Sequence, residues 1–353
     1  MTDTAPVSVE ELQLAARNHG MPLEALRYDL TPVGLHYLLI HYDIPAVDAA
    51  GWRLTIDGAV RASLTVTLDE LRARQVLSQV VTMECAGNGR ARLDPRPVSQ
   101  PWLLEAVGNA EWSGTSLAAL LDEAEVERDA VEVLFTGLDR GVEGGVQQTY
   151  QRSLPLAEAL RPEVILAYAV NGGPLPPQHG FPLRLVVPGW YGMASVKWLD
   201  RITVLREPFA GYQQARGYRL RAEEEETGEP VSWIMPRALM IPPGIPDFMT
   251  RRRFLRPGRC RIEGRAWSGA APVEEVAVSA DGGSTWSPAR LEPAAGRFSW
   301  CRWEWTWEAP PGEHQLCCRA RDGAGNVQPH HQFWNVGGYR NNEVQRVLVA
   351  VED

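Results

Sequence analysis

"EVILAYAVNGGPLPPQHGFPLRLVVPGWYGMASVKWLDRITVL", residues 163–205, packs three β-type runs around Pro/Gly loops. "EVILAYAVNGG" and "FPLRLVVPGW" flank one such loop, and "VKWLDRITVL" adds a further strand. Upstream, "WRLTIDGAV" (52–60) alternates like a strand and ends at an Asp-Gly turn, and "SQVVTMEC" (78–85) reads as a buried strand. "VEVLFTGLD" (131–139) is another apolar strand. Helical patterns are short. They lie at "TLDELRAR" (67–74) with Thr67 as cap, "TSLAALLDEAEV" (115–126), and "LPLAEALRP" (154–162) with Ser153 as the candidate cap. Strands and short helices mix without a regular βαβ period, which predicts α+β rather than a doubly wound sheet.

The pattern changes near residue 222. "RAEEEETGEP" is charged and expected to be exposed, and "MIPPGIPDF" reads as an extended proline-rich connector. Beyond it come short strands with turn residues between them. "SWCRWEWTW" (299–307) alternates strictly, placing Cys301, Trp303, Trp305 and Trp307 on one face and Trp300, Arg302, Glu304 and Thr306 on the other. The expectation is a catalytic domain over 1–236 followed by an immunoglobulin-like β-sandwich over 237–353. With 353 residues, 44% of them hydrophobic and 22% charged, the chain can fill two cores.

A net charge of −9 argues against a nucleic-acid partner. The dense basic runs, Arg251–Arg253 and the arginines around Pro257, read as a solvated linker. No run approaches the roughly 18 residues that cross a bilayer, and the acidic, amphipathic N-terminus "MTDTAPVSVEELQLAARNHG" lacks a basic leader. Five scattered cysteines read as free thiols in a reducing compartment, so a cytoplasmic location is expected. There is no Cys-x-x-Cys, no Gly-x-x-x-x-Gly-Lys and no His-Glu-x-x-His.

Two concentrations of chemistry remain. In "QVVTMECAGNGR" (79–90), Cys85 ends a strand and is followed by Gly87, Gly89 and Arg90. Taken alone, a cysteine there is more often an inert buried residue. Glycines that allow a tight curl, and an arginine that favours the thiolate, point instead to a nucleophile or a metal ligand. In 171–198, His179, Arg184 and Lys197 sit at loop ends within 19 residues, an arrangement suited to an anion such as phosphate. His330-His331 are expected on an exposed loop, and adjacent Cys317-Cys318 are expected to split between core and surface.

These residues resemble the sulfite oxidase family of molybdenum enzymes over nearly the whole chain. "ECAGNGR" looks like the family's Cys-Ala-Gly-Asn-Arg-Arg signature, and "LAYAVNGGPLPPQHGFPLRLVVPGWYGMASVKWL" matches its longest motif almost without a gap. "EGRAWSGAAPVEEVAVSADGGSTW", and "DGAGNVQP" followed by "FWN", resemble its C-terminal domain. The resemblance implies a molybdenum held by a pterin dithiolene (molybdopterin), with Cys85 as the thiolate ligand. His41, Asp139, His179, Arg184, Ser195, Val196 and Lys197 fall on positions that hold the pterin and its phosphate. Arg90, Trp102 and Tyr218 fall on positions that line the substrate pocket. The implied reaction is oxygen-atom transfer, sulfite to sulfate, with electrons passing to a separate cytochrome or small-molecule acceptor because this chain shows no haem domain. By the same likeness the C-terminal sandwich is a dimerisation domain and the protein a homodimer.

Two departures bear on substrate. Leu39 and Gly337 stand where the family usually has arginines, which leaves Arg90, with Arg340 as a candidate substitute. A hydrogen bond to a charged group contributes about 1.5–3 kcal/mol, so two lost arginines would weaken anion binding by up to about 10⁴-fold. That motivates an alternative, the same cofactor reducing an uncharged S-oxide or N-oxide. A third reading has no molybdenum, with Cys85 and His179 as a thiol pair or the sandwich as a binding module.

Overall fold

Residues 53–58 and 199–205 pair in parallel, and around them forms a sheet in the order 64–67, 53–58, 199–205, 132–143, 146–155. All its other pairings are antiparallel. A second sheet runs 77–84, 107–116, 165–170, with 173–174 and 184–186 both pairing with 165–170. The structure, a computed structural model, describes residues 7–353; the first six residues of the amphipathic N-terminal segment lie outside the described residues. The mixed α+β class expected from the missing βαβ period is the one observed.

Local chemistry sets the helices. Ser8 and Glu11 close a capping box on Val9–Arg17, and Thr67 and Glu70 close another on Leu68–Arg72. Ser116 caps Leu117–Glu123. Ser153 does not cap its helix. Pro155 cannot donate a backbone hydrogen bond and occupies the N-cap, so the helix begins at Leu156. Ser153 stays in the preceding strand, its buried Oγ without a partner among the described residues.

The C-terminal part is a two-sheet sandwich. Strands 237–240, 258–267, 301–309 and 290–291 form one sheet; 245–246, 253–255, 345–351, 312–322, 273–279 and 287–288 form the other. Met240, Ile262, Val278, Trp303, Trp307, Leu316, Cys318 and Val349 fill the space between them. The alternation at 299–307 holds for Trp303 and Trp307, but Trp300 is also buried, its indole N–H donating to the Asp29 carbonyl at 3.0 Å. The N-terminal segment covers that end of the outer face. Cys317 and Cys318 are both fully buried rather than split, since the outer face at Cys317 is also covered, with the Arg346 and Arg92 guanidiniums nearby. Arg253 is likewise buried rather than solvated, because 253–255 joins the sheet beside 345–351 and its guanidinium meets Glu24 at 2.8 Å. His330 and His331 are exposed, as expected.

The seam between the two parts runs beneath Cys85. Glu84 forms an ion pair with Arg237 (Nε–Oε1 2.8 Å) and accepts from the Trp267 indole at 2.8 Å. Asn341 Nδ2 donates to the Gly89 carbonyl at 2.7 Å, and the Arg340 N–H donates to the Ala86 carbonyl at 2.9 Å. The segment after residue 335 thus returns to brace the loop that follows Cys85.

Candidate active site

Cys85 sits one residue past the strand Leu77–Glu84, buried, its N–H donating to the Ala106 carbonyl at 2.9 Å. The loop turns at once, with the Asn88 N–H donating to the Cys85 carbonyl and Asn88 Nδ2 to Glu84 and the Leu104 carbonyl. Of the two glycines only Gly89 takes a left-handed conformation (φ 90°). Gly87 is there for space: a Cβ would lie 2.6 Å from Arg90 Nη2, so the guanidinium is seated over a bare backbone. Burial raises the Cys85 thiol above its usual range, against the Arg90 charge, the Gly87 N–H and the Trp102 indole. Those three favour the thiolate wherever a positive centre offsets the burial cost.

Two concavities meet at this residue. The inner one is a narrow slot lined by His36, Tyr37, Met83, Asp139, Tyr150, His179, Arg184, Ser195 and Lys197 among others. The outer one is a larger, open cleft with Arg90, Trp102, Gln100, Tyr339, Arg17 and Arg216 on its walls. Leu39, His41, Cys85 and Tyr218 line both.

The slot is rich in cations, with Asp139 the one carboxylate among its described lining residues. Arg184 is buried and donates to the His179 carbonyl (3.2 Å) and the Ser195 carbonyl (3.1 Å), stacking 4.7 Å over Trp112. Burial holds its pKa down to about 10. Lys197 donates to the Leu39 and Gln178 carbonyls at 2.8 and 3.2 Å, and burial with Arg184 nearby pushes it below the usual lysine range. Burial pushes Asp139 up, with Lys197 opposing. His179 is held far below the usual histidine range by burial and the neighbouring cations. Three slot-lining atoms, His36 Nε2, Asp139 Oδ1 and Arg184 Nε, are buried with no partner among the described residues. Each costs free energy unless a ligand completes it. A polar heterocycle carrying an anionic phosphate fits this donor and acceptor set, and molybdopterin is such a group.

Every residue expected at the site except Val196 lines the slot, the cleft or both. Val196 is fully buried in the core, its N–H donating to the Ala194 carbonyl and its carbonyl accepting from the Leu185 N–H. Arg340 does not substitute for a missing arginine: its guanidinium meets Met235 Sδ at 2.9 Å and it is not among the residues lining the cleft. Tyr218 takes a left-handed backbone (φ 52°) that turns its hydroxyl to His41 Nε2 at 2.6 Å.

Residues 41–213 match the family described as the oxidoreductase molybdopterin binding domain, and 247–352 match the Mo-co oxidoreductase dimerisation domain. Sulfite oxidase of Gallus gallus is 36% identical over 328 residues, covering 88% of this chain and 70% of that one. This chain belongs to the sulfite oxidase family. The Arabidopsis thaliana sulfite oxidase is 33% identical, covering 91% of this chain and 88% of its own. The chain spans only 62% of the Homo sapiens mitochondrial enzyme, at 34% identity. Among solved structures, the sulfane dehydrogenase SoxCD of Paracoccus pantotrophus superposes with a TM-score of 0.82 at 24% identity, over 100% of this chain and 94% of that one, and shares the fold.

The slot also holds residues that no sequence motif singles out. His36, Tyr37, Met83 and Tyr150 line it, and Arg152, buried, stacks 5.4 Å from the Tyr218 ring. "LHYLLIHY" repeats a His-Tyr pair, and the first pair was the one signal available for His36.

Proposed function

We propose that this protein is a molybdenum-dependent oxidoreductase that oxidises sulfite to sulfate. The observation that carries the proposal is the shared seam: Cys85, His41 and Tyr218 belong at once to a cation-lined slot and to an open cleft containing Arg90. The slot residues would hold the pterin, Arg184, His179 and Lys197 its phosphate end, and Cys85 the metal. When bound, the molybdenum cofactor supplies oxygen-atom transfer and accepts the two electrons released.

The chain's own residues then bind and orient. Arg90 has Nε and Nη1 committed to the Gly337 and Gln100 carbonyls, which fixes the plane of the guanidinium and leaves Nη2 as the donor that would meet a sulfite oxygen. Burial keeps the Tyr218 hydroxyl protonated, so it stays a donor at the seam. In the net reaction sulfite and water give sulfate, two protons and two electrons, the electrons leaving to a separate acceptor. The division of labour is a catalytic part over 1–236 and an immunoglobulin-like sandwich over 237–353 that pairs two copies as a homodimer. All five cysteines are free, which supports a reducing, cytoplasmic setting.

Metal and pterin analysis of purified protein, with a sulfite assay using an artificial acceptor, tests the reading. One molybdenum and one pterin per chain are expected, with Cys85→Ser losing turnover. Loaded protein that does not turn over sulfite would sink the substrate, and protein with neither metal nor pterin would sink the whole reading.

A further inference from the structure

The least explained group in the slot is His36. It precedes the segment matched by the family, is 3% exposed, and lies edge-on to His179 and Trp112, ring centroids 5.7 and 5.9 Å away. Its Nδ1 is 3.1 Å from the Tyr37 carbonyl. A carbonyl can only accept, so Nδ1 carries the proton and Nε2 of the neutral ring presents a lone pair. That Nε2 has no partner among the described residues, although it is buried and the residue lines the slot. The fold also makes room for the ring: a Cβ at Gly108 would lie 2.4 Å from His36 Cδ2, so any larger residue there would displace the imidazole. An apolar side chain would fill such a place without an orphaned acceptor.

We propose that His36 is a cofactor-binding residue whose Nε2 accepts a hydrogen bond from an N–H of the bound pterin. This rests on the molybdopterin reading of the slot. Neighbouring cations do not serve Nε2 from where they stand: Arg184 Nε, also buried, bonds neither to it nor to any other described group. Arg184 donates Nη1 and Nη2 to the His179 and Ser195 carbonyls, and Lys197 donates to the Leu39 and Gln178 carbonyls. The pterin ring, with its amino group and ring N–H groups, brings donors that an acceptor at Nε2 selects. Burial together with the Arg184 charge keeps the ring neutral, its pKa near 4, so the lone pair is available at neutral pH.

The test compares wild type with His36→Phe, which keeps the ring volume and removes the acceptor, and His36→Gln, which restores an acceptor oxygen. Molybdenum and pterin per chain are measured on purified protein, together with the rate at which pterin is released during dilution, followed by fluorescence of the oxidised pterin. Far-UV circular dichroism and the unfolding midpoint report folding. Loss of one hydrogen bond of about 1 kcal/mol or somewhat more corresponds to release about 5- to 10-fold faster. His36→Phe is expected to show that acceleration with the fold intact, and His36→Gln to recover at least half of it. A folded His36→Phe protein that carries and releases pterin like wild type overturns the proposal and assigns Nε2 to water. If Phe fails to fold, equal release from wild type and His36→Gln, with release from His36→Leu no faster, overturns it as well. Wild type devoid of pterin overturns the reading beneath it, a separate outcome.

Discussion

Arg90 Nε donates to the Gly337 carbonyl at 2.8 Å, joining positions 247 residues apart in the chain. Gly337 stands where the family resemblance leads one to expect an arginine, and its backbone carbonyl serves to orient Arg90. The Tyr339 ring packs 5.2 Å from the same guanidinium. A side chain at 337 would put its Cβ 2.2 Å from Tyr339 Cε2, so an arginine cannot simply be restored there.

Leu39 is the better place to add charge, since it lines both slot and cleft. Leu39→Arg is expected to lower KM for sulfite about 10-fold, the lower end of what a charged hydrogen bond supplies. Repulsion from Lys197 and Arg90 accounts for taking the lower end. KM for an uncharged S-oxide should not fall. Steady-state kinetics with both substrates check this, and an unchanged sulfite KM would mean that residue 39 does not face the substrate.

Tyr218 and His41 share a 2.6 Å contact at the seam, with the Tyr218 hydroxyl held well above the usual phenol range by burial. Removing the hydroxyl takes away a donor without changing the ring that packs on Tyr339 and Arg152. Tyr218→Phe is expected to lower kcat/KM for sulfite about 10-fold while the unfolding midpoint stays within a degree or two. A large loss of stability with unchanged kinetics would make the residue structural only.

Glu84 and Arg237 are each about 1% exposed, and the pair lies one residue before Cys85. Breaking a buried pair leaves an uncompensated charge, at a cost of about 3–5 kcal/mol. Glu84→Ala should therefore lower stability by that amount in urea unfolding and reduce the molybdenum bound per chain. Replacing both members by methionine should cost less than Glu84→Ala alone, because no charge is then stranded. A double variant worse than the single one would show that the Trp267 and Asn88 bonds to Glu84, not the ion pair, dominate.

How much of this the sequence disclosed depended on how local the cause was. Cys85 and its turn were legible because a thiol, glycines and an arginine lie within six residues. The sandwich was legible because Trp303 and Trp307 alternate with charged residues. The burial of Trp300, Cys317 and Arg253 was not, since each is covered by a distant segment that no periodicity reveals: Asp29, the Arg92 loop and Glu24 with the strand 345–351. Gly87 was noticed for the wrong reason, as conformational freedom, when its use is to seat Arg90. His36 sits alone in an apolar run, and only the packing shows its unpaired nitrogen.

Three slot histidines are held neutral by burial: His36 near pKa 4, His41 near 3, and His179 lower still. In the unfolded chain each titrates near its ordinary value of about 6.5. Between that value and the depressed one the unfolded state binds more protons, so stability is full above about pH 6.5 and is lost as pH falls. Each fully shifted histidine contributes a slope of up to about 1.4 kcal/mol per pH unit in that window. Urea unfolding at pH 7, 6 and 5 is expected to show stability declining across the series. In His36→Phe the slope between pH 6 and pH 4.5 should flatten by about 1 kcal/mol per unit, whatever that substitution does to stability at pH 7. An unchanged slope would mean that the His36 ring titrates in the folded protein as it does in the unfolded chain, so that burial does not hold it neutral below pH 6.5.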